Sequence, residues 1–112
     1  MAEQLDNHEQ QAICTNNLGL LELDRGRPSQ ARGWYERGLA LANKLDRSDL
    51  IAYAQHGLAR VLELEWRYHD ALALAEQALA VQERLHDRDL EATQQLVDRL
   101  RRRVGRGAPV SG

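Results

Sequence analysis

Along most of this chain apolar and small residues recur at helical rather than alternating spacing, and short polar segments interrupt them at regular intervals. The pattern predicts a helix through about Asp24, a turn at Asp24-Arg25-Gly26-Arg27-Pro28-Ser29, and a second helix ending near Leu45. Gly26 can take the left-handed conformation that closes a helix, and Pro28 stands near a helix start, where its missing N–H costs least. Glu65-Trp66-Arg67-Tyr68-His69-Asp70 occupies the place of that turn in a second hairpin. It has no glycine, so a tighter or more helical turn is expected there. Asp46-Arg47-Ser48-Asp49 and His86-Asp87-Arg88-Asp89 read as connections in which Ser48 or Asp49, and Asp87 or Asp89, accept free N–H groups of the next helix. Thr93, Leu96, Val97, Leu100 and Val104 predict a fifth helix from about Arg88. Residues 105–112 combine helix breakers with no periodicity and read as a frayed, flexible tail.

The chain also repeats itself. A shift of 40 residues superposes Leu5 on Leu45, Ala12 on Ala52, Leu18 on Leu58, Gly19 on Ala59, Ala31 on Ala71, Gly38 on Ala78 and Leu39 on Leu79. Apolar and small positions carry the match, as repeated packing requires. The fifth helix fits best at a shift of 38, with Leu96 on Leu58, Val97 on Ala59 and Leu100 on Leu62. A helical-repeat domain over 1–104 follows: repeat 1 at about 5–44, repeat 2 at about 45–84 and a half-repeat or capping helix at about 85–104.

Leu18-Gly19, Ala31, Tyr35 and Gly38, and again Leu58-Ala59, Ala71, Ala75 and Ala78, resemble the tetratricopeptide repeat. That motif places a small residue beside a Leu on the first helix and small and bulky residues at fixed distances on the second. The aromatic of the motif is Tyr35 in one unit and only Ala75 in the other, its closing Pro is absent, and the period is 40 rather than 34. In this the chain is similar to the extended repeats of bacterial signalling and transcription regulators and of kinesin light chains. The resemblance implies an all-α fold of about five helices, antiparallel hairpins stacked as a short right-handed superhelix. A plain up-down bundle of duplicated hairpins is the competing architecture.

Composition agrees. The 112 residues are enough for one domain with a modest core, and Ala, Leu, Glu, Gln and Arg abound beside two Pro and no Phe, which favours helix. The net charge of −2 draws the chain to neither nucleic acid nor anionic lipid. A single cysteine, Cys14, excludes an intrachain disulfide and fits a reducing compartment. The polar N-terminus lacks the pattern of a signal peptide, and no apolar stretch is long enough to span a membrane. A cytoplasmic protein is expected.

The chemistry-bearing residues point away from catalysis. His8, His56, His69 and His86 form no metal-ligand spacing, and no Gly-rich phosphate loop or nucleophile elbow is present. No cofactor, metal or small-molecule substrate is expected. Cys14 reads as a buried core thiol. Trp34 and Tyr35 are adjacent on one helix and diverge by about 100°, which puts one of them at an interface. Trp66 and Tyr68 read as shields for the end of the core, or as anchors for a partner.

The resemblance further implies a concave groove lined by the first helix of each repeat. Mapped onto this sequence it comprises Ile13, Asn16, Asn17 and Leu20, then Tyr53, His56 and Arg60, then Glu91, Gln94, Gln95 and Asp98. Asn and Gln there can pair with the N–H and C=O of an extended peptide; a simply solvated face is the alternative. The family's clamp for the C-terminal carboxylate of chaperone peptides is missing, because its positions carry Asn16, Leu20, Gly57, Glu91 and Gln95. The function implied is a non-enzymatic protein–protein interaction module that binds a partner peptide or helix. Homodimerisation, or service as a segment of a larger bacterial regulator, is the alternative. Self-association would bury terminal helices through Trp34, Tyr35, Leu96 and Leu100. Arg99, Arg101, Arg102, Arg103 and Arg106 form a basic run that could meet nucleic acid, although cations are also favoured at a helix C-terminus.

Overall fold

The computed structural model describes the backbone of residues 2–107 and the side-chain surroundings of residues 7–105. Five helices fill the described residues: α1 (Ala2–Asp24), α2 (Pro28–Leu45), α3 (Ser48–Leu64), α4 (Tyr68–Leu85) and α5 (Leu90–Gly107). Consecutive helices pack against each other, and α3 also touches both α1 and α5, so α1, α3 and α5 form one layer with α2 and α4 behind it. The molecule is elongated, with extents of 56 × 31 × 19 Å. The helix starts and ends differ from the sequence reading at the C-terminus. There α5 begins at Leu90 rather than near Arg88 and runs through Gly105 to Gly107, and residues 108–112 lie outside the described part.

The first four helices close by one device. Gly26, Asp46, Trp66 and His86 have φ of 73°, 54°, 66° and 52°, and they stand twenty residues apart. After each, the chain folds back so that two N–H groups cap the last carbonyls. Gly26 and Arg27 donate to Leu23 and Glu22, and Trp66 and Arg67 donate to Glu63 and Leu62 in the same pattern. The turn at 65–70 is therefore not tighter than its counterpart. It has the same left-handed closure, with Trp66 in the strained position that Gly26 occupies freely. Side-chain capping follows the sequence only in part. Arg47 precedes α3 without a side-chain cap, and Asp49 pairs with Arg47 instead, whereas Asp87 accepts a hydrogen bond from the Asp89 N–H at 2.8 Å.

Small residues let the two layers meet. Ala31, Ala59, Ala71, Ala75 and Ala78 have no exposed surface. In the first hairpin the bulky Tyr35 lies against Gly19, where a Cβ would come within 2.8 Å of its ring. In the second hairpin both positions are alanine, Ala59 and Ala75, and both join one apolar cluster. A large–minimal pair is thus exchanged for two small residues. Leu96, Val97 and Leu100 of α5 close this cluster against Ala71, Ala75 and Leu79 of α4. The other cluster joins Leu23, Ala31, Tyr35, Leu58 and Val61 across α1, α2 and α3. Cys14 is exposed, not a core thiol. Trp66 is 79% exposed and shields nothing.

Candidate concave binding site

The α1–α3–α5 layer encloses a cavity of about 250 Å³, and α2 and α4 supply its floor. Leu20 of α1 and Tyr53, His56, Gly57 and Arg60 of α3 form its walls, Asp89 and Ala92 its far side, and Tyr35 and Gln82 reach it from behind. Gly57 is what lets Tyr35 arrive. A Cβ at Gly57 would overlap the Tyr35 ring, so the ring lies between Gly19 on one side and Gly57 on the other. The site is a local departure from the repeat: 40 residues earlier, Leu20 stands for Arg60, Asn17 for Gly57 and Ala42 for Gln82.

His56 shares a hydrogen bond of 2.7 Å with the buried Thr93 hydroxyl, which ties α3 to α5 beneath the cavity. Burial pushes its pKa down to about 4, helped by the positive charges of Arg60 and Arg99 and opposed by Glu63. The imidazole is therefore neutral at pH 7. Burial likewise raises the pKa of Tyr35 and of Tyr53, which keeps both phenols protonated. Arg60 forms no ion pair among the described residues. Gln82 is 1% exposed, and its Oε1 has no hydrogen-bond partner there. The walls thus combine aromatic surface, a neutral imidazole and one uncommitted guanidinium, an inventory for gripping a side chain rather than for moving protons.

A family model of the tetratricopeptide repeat matches residues 12–45 and 51–89, together well over half the chain. The chain belongs to the tetratricopeptide-repeat family. No curated protein matches its sequence. Among solved structures it is similar to the TPR domain of Arabidopsis FLU, with a TM-score of 0.67 and 21% identity over 88% of this chain and 98% of that one. At that identity the likeness is one of fold. Tetratricopeptide repeats are in general non-enzymatic protein–protein interaction modules, and membership places this chain in that general class.

The tetratricopeptide geometry gathers some of the residues mapped to the groove and disperses others. Leu20, Tyr53, His56 and Arg60 meet at the cavity. Ile13 borders a shallower depression beside it, with Asp49, Leu50, Tyr53 and Asp89. Glu91 and Gln94 lie beyond, near Asp87 and Arg88, and Gln94 donates a 3.0 Å hydrogen bond to Asp98, while Gln95 is exposed. Asn16 is a correction: it is 2% exposed and wedged against Gly38, with neither amide atom hydrogen-bonded, so it lines no groove. Asn17 is another, because it borders a separate depression with Cys14, Leu18 and Leu21. Sequence reasoning missed Tyr35, Gly57, Gln82, Asp89 and Ala92 as lining residues. Glycine inside a helix at 57 and Gln82 in place of Ala42 were the available signals.

The surface expected for self-association does not exist in that form. Tyr35, Leu96 and Leu100 are at most 1% exposed and belong to the core; Trp34 is half-buried, with Arg37 stacked 5.4 Å from its ring. The basic run is largely engaged within the stack. Arg99 binds Glu63 at 2.6 and 2.9 Å, Arg101 binds Glu76 at 3.0 Å, and Arg103 lies 5.4 Å over the Tyr68 ring. These contacts fasten α5 to α3 and α4. Arg102 is exposed, and the Arg106 side chain falls outside the described residues. Among the described residues no three His, Cys, Asp or Glu side chains gather as a metal site, and no helix is long and apolar enough to cross a membrane.

Proposed function

We propose that this chain binds an extended segment of a protein partner along the α1–α3–α5 face, with one side chain of that segment seated in the cavity. The observation that carries the reading is the cavity itself. At about 250 Å³ it falls below the roughly 300–1,000 Å³ of typical small-molecule sites and suits a single large side chain. Tyr53 and Leu20 supply apolar walls, Arg60 and His56 the polar contacts, and the depression beside Ile13, which shares Tyr53 and Asp89 with the cavity, extends the track on one side. A peptide selected from a random library on the immobilised protein tests it. Arg60→Ala should weaken binding at least tenfold with little change in melting temperature, Tyr53→Ala, at a side chain that packs against the core, should weaken it at least tenfold at a temperature where the variant is still folded, and Arg102→Ala should leave affinity unaltered. Equal affinity of all three variants overturns the proposal.

A further inference from the structure

The cavity sets two opposite charges on its walls without letting them meet. Arg60 on the α3 wall and Asp89 on the far side both line it, and neither forms an ion pair among the described residues. In the first connection the equivalent Asp49 is held by Arg47 through hydrogen bonds of 3.0 and 2.8 Å. In the second, Asp87 stands where Arg47 stood, so Asp89 loses that cation, while Arg60 stands where Leu20 stood and brings a cation without a carboxylate. Two further groups lack partners. Gln82 reaches the cavity at 1% exposure, and its Oε1 meets no donor. The Thr93 hydroxyl is fully buried with His56 Nδ1 as its hydrogen-bond partner. It satisfies its own proton by donating to Nδ1, and because burial keeps the imidazole neutral, the ring proton then sits on Nε2. The lining therefore holds two unmet donors, Arg60 and the His56 Nε2–H, and two unmet acceptors, the Asp89 carboxylate and Gln82 Oε1.

We infer that the side chain seated in this cavity is a primary amide, a glutamine or asparagine of the partner's extended segment. The inference deepens the docking proposed along the α1–α3–α5 face and rests on it. An amide carries two N–H donors and a carbonyl with two lone pairs on one planar group, the complement of the unmet set. It is also uncharged. A carboxylate would gain Arg60 and the His56 N–H but would be held against Asp89 and Gln82 Oε1. A lysine or arginine would gain those two acceptors and be held against Arg60. In both cases a charge leaves water to sit beside one of its own sign. A leucine meets none of the four groups and leaves them dry, which is the costly arrangement for buried polar atoms. A tyrosine brings one proton to two acceptors.

The test uses peptide pools randomised at every position except the central one, which is fixed as Gln, Asn, Glu, Lys, Tyr or Leu, and reads the retention of each pool on the immobilised protein. The Gln and Asn pools should be retained at least about tenfold better than the Glu, Lys and Leu pools. Arg60→Ala should remove that advantage. Asp89→Asn deletes the like charge, keeps a residue suited to the start of α5, and should bring the Glu pool up to the Gln pool. A Tyr, Lys or Leu pool retained as well as the Gln pool overturns the inference, as does a Glu pool that equals the Gln pool on the parent, or an amide preference that both variants leave unchanged. If Arg60→Ala and Tyr53→Ala still weaken retention in those cases, the docking stands and only the choice of side chain falls. A parent that retains no pool, or retention untouched by Arg60→Ala and Tyr53→Ala, overturns the docking and the inference together.

Discussion

Gly57→Ala separates packing from helix propensity because the two predict opposite signs. In a solvated helix, Gly to Ala stabilises by about 1 kcal/mol. At Gly57 the new methyl would overlap the Tyr35 ring, and that ring has little room to retreat, since it is packed so closely on Gly19 that a Cβ there would lie 2.8 Å from it. Overpacking of this kind costs roughly 1–3 kcal/mol. So close an approach belongs to the upper part of that range, about 2–3 kcal/mol, and with the propensity gain subtracted Gly57→Ala should destabilise by about 1–2 kcal/mol, a fall in Tm of about 4–8 °C for a domain of this size. Gly33 is the matched control, a helical glycine with nothing within 4 Å of its Cβ position. Gly33→Ala should raise Tm by about 4 °C at most. Calorimetry on both variants decides the matter, and Tyr35→Leu combined with Gly57→Ala should recover part of the loss as a favourable coupling. If Gly57→Ala raises Tm as Gly33→Ala does, the ring is not held between α1 and α3, and the floor of the cavity is misdescribed.

Other expectations follow from single side chains. Trp66 holds φ at +66° while 79% exposed, so Trp66→Gly should relieve strain at little loss of burial and raise the urea midpoint by the equivalent of about 1 kcal/mol. His56 has a folded pKa of about 4 against 6.5 in an open chain. As pH drops from 6.5 to 4 the unfolded chain therefore takes up a proton that the fold refuses, and stability falls by up to about 3 kcal/mol; in His56→Gln a pH series of melts should lack this part of the decline. Asn16 is buried without hydrogen-bond partners and blocks any Cβ at position 38. Gly38→Ala alone should therefore destabilise by about 1–3 kcal/mol, and in the Asn16→Ala background most of that loss, read from urea unfolding, should vanish.

The fold was legible because repeated packing leaves small residues at repeated positions: Gly19, Ala31 and Gly38 return as Ala59, Ala71 and Ala78, all buried. What the period could not convey is which neighbours each copy has. Cys14 matches the buried Ala54 in sequence yet is exposed, because no helix among the described residues covers that face of α1 as α2 covers α3. Asn16 matches His56, but α1 sits so close to Gly38 that the amide is trapped between helices instead of facing the groove. Trp66 shows that helix closure is set by the hydrogen bonds it satisfies, with residue identity secondary. Of the candidate site, the α3 residues were readable from the repeat register. Its floor was not, since Tyr35 and Gln82 come from the helices behind, and Tyr35 reaches the cavity through the gap at Gly57.

The most direct test of the binding account is a map of amide chemical shifts as a library-selected peptide is titrated into the labelled protein. The account predicts that the largest changes cluster at Leu20, Tyr53, His56, Arg60 and Ala92, around the cavity between α1, α3 and α5. Changes confined to the backs of α2 and α4, with those five residues silent, would contradict it.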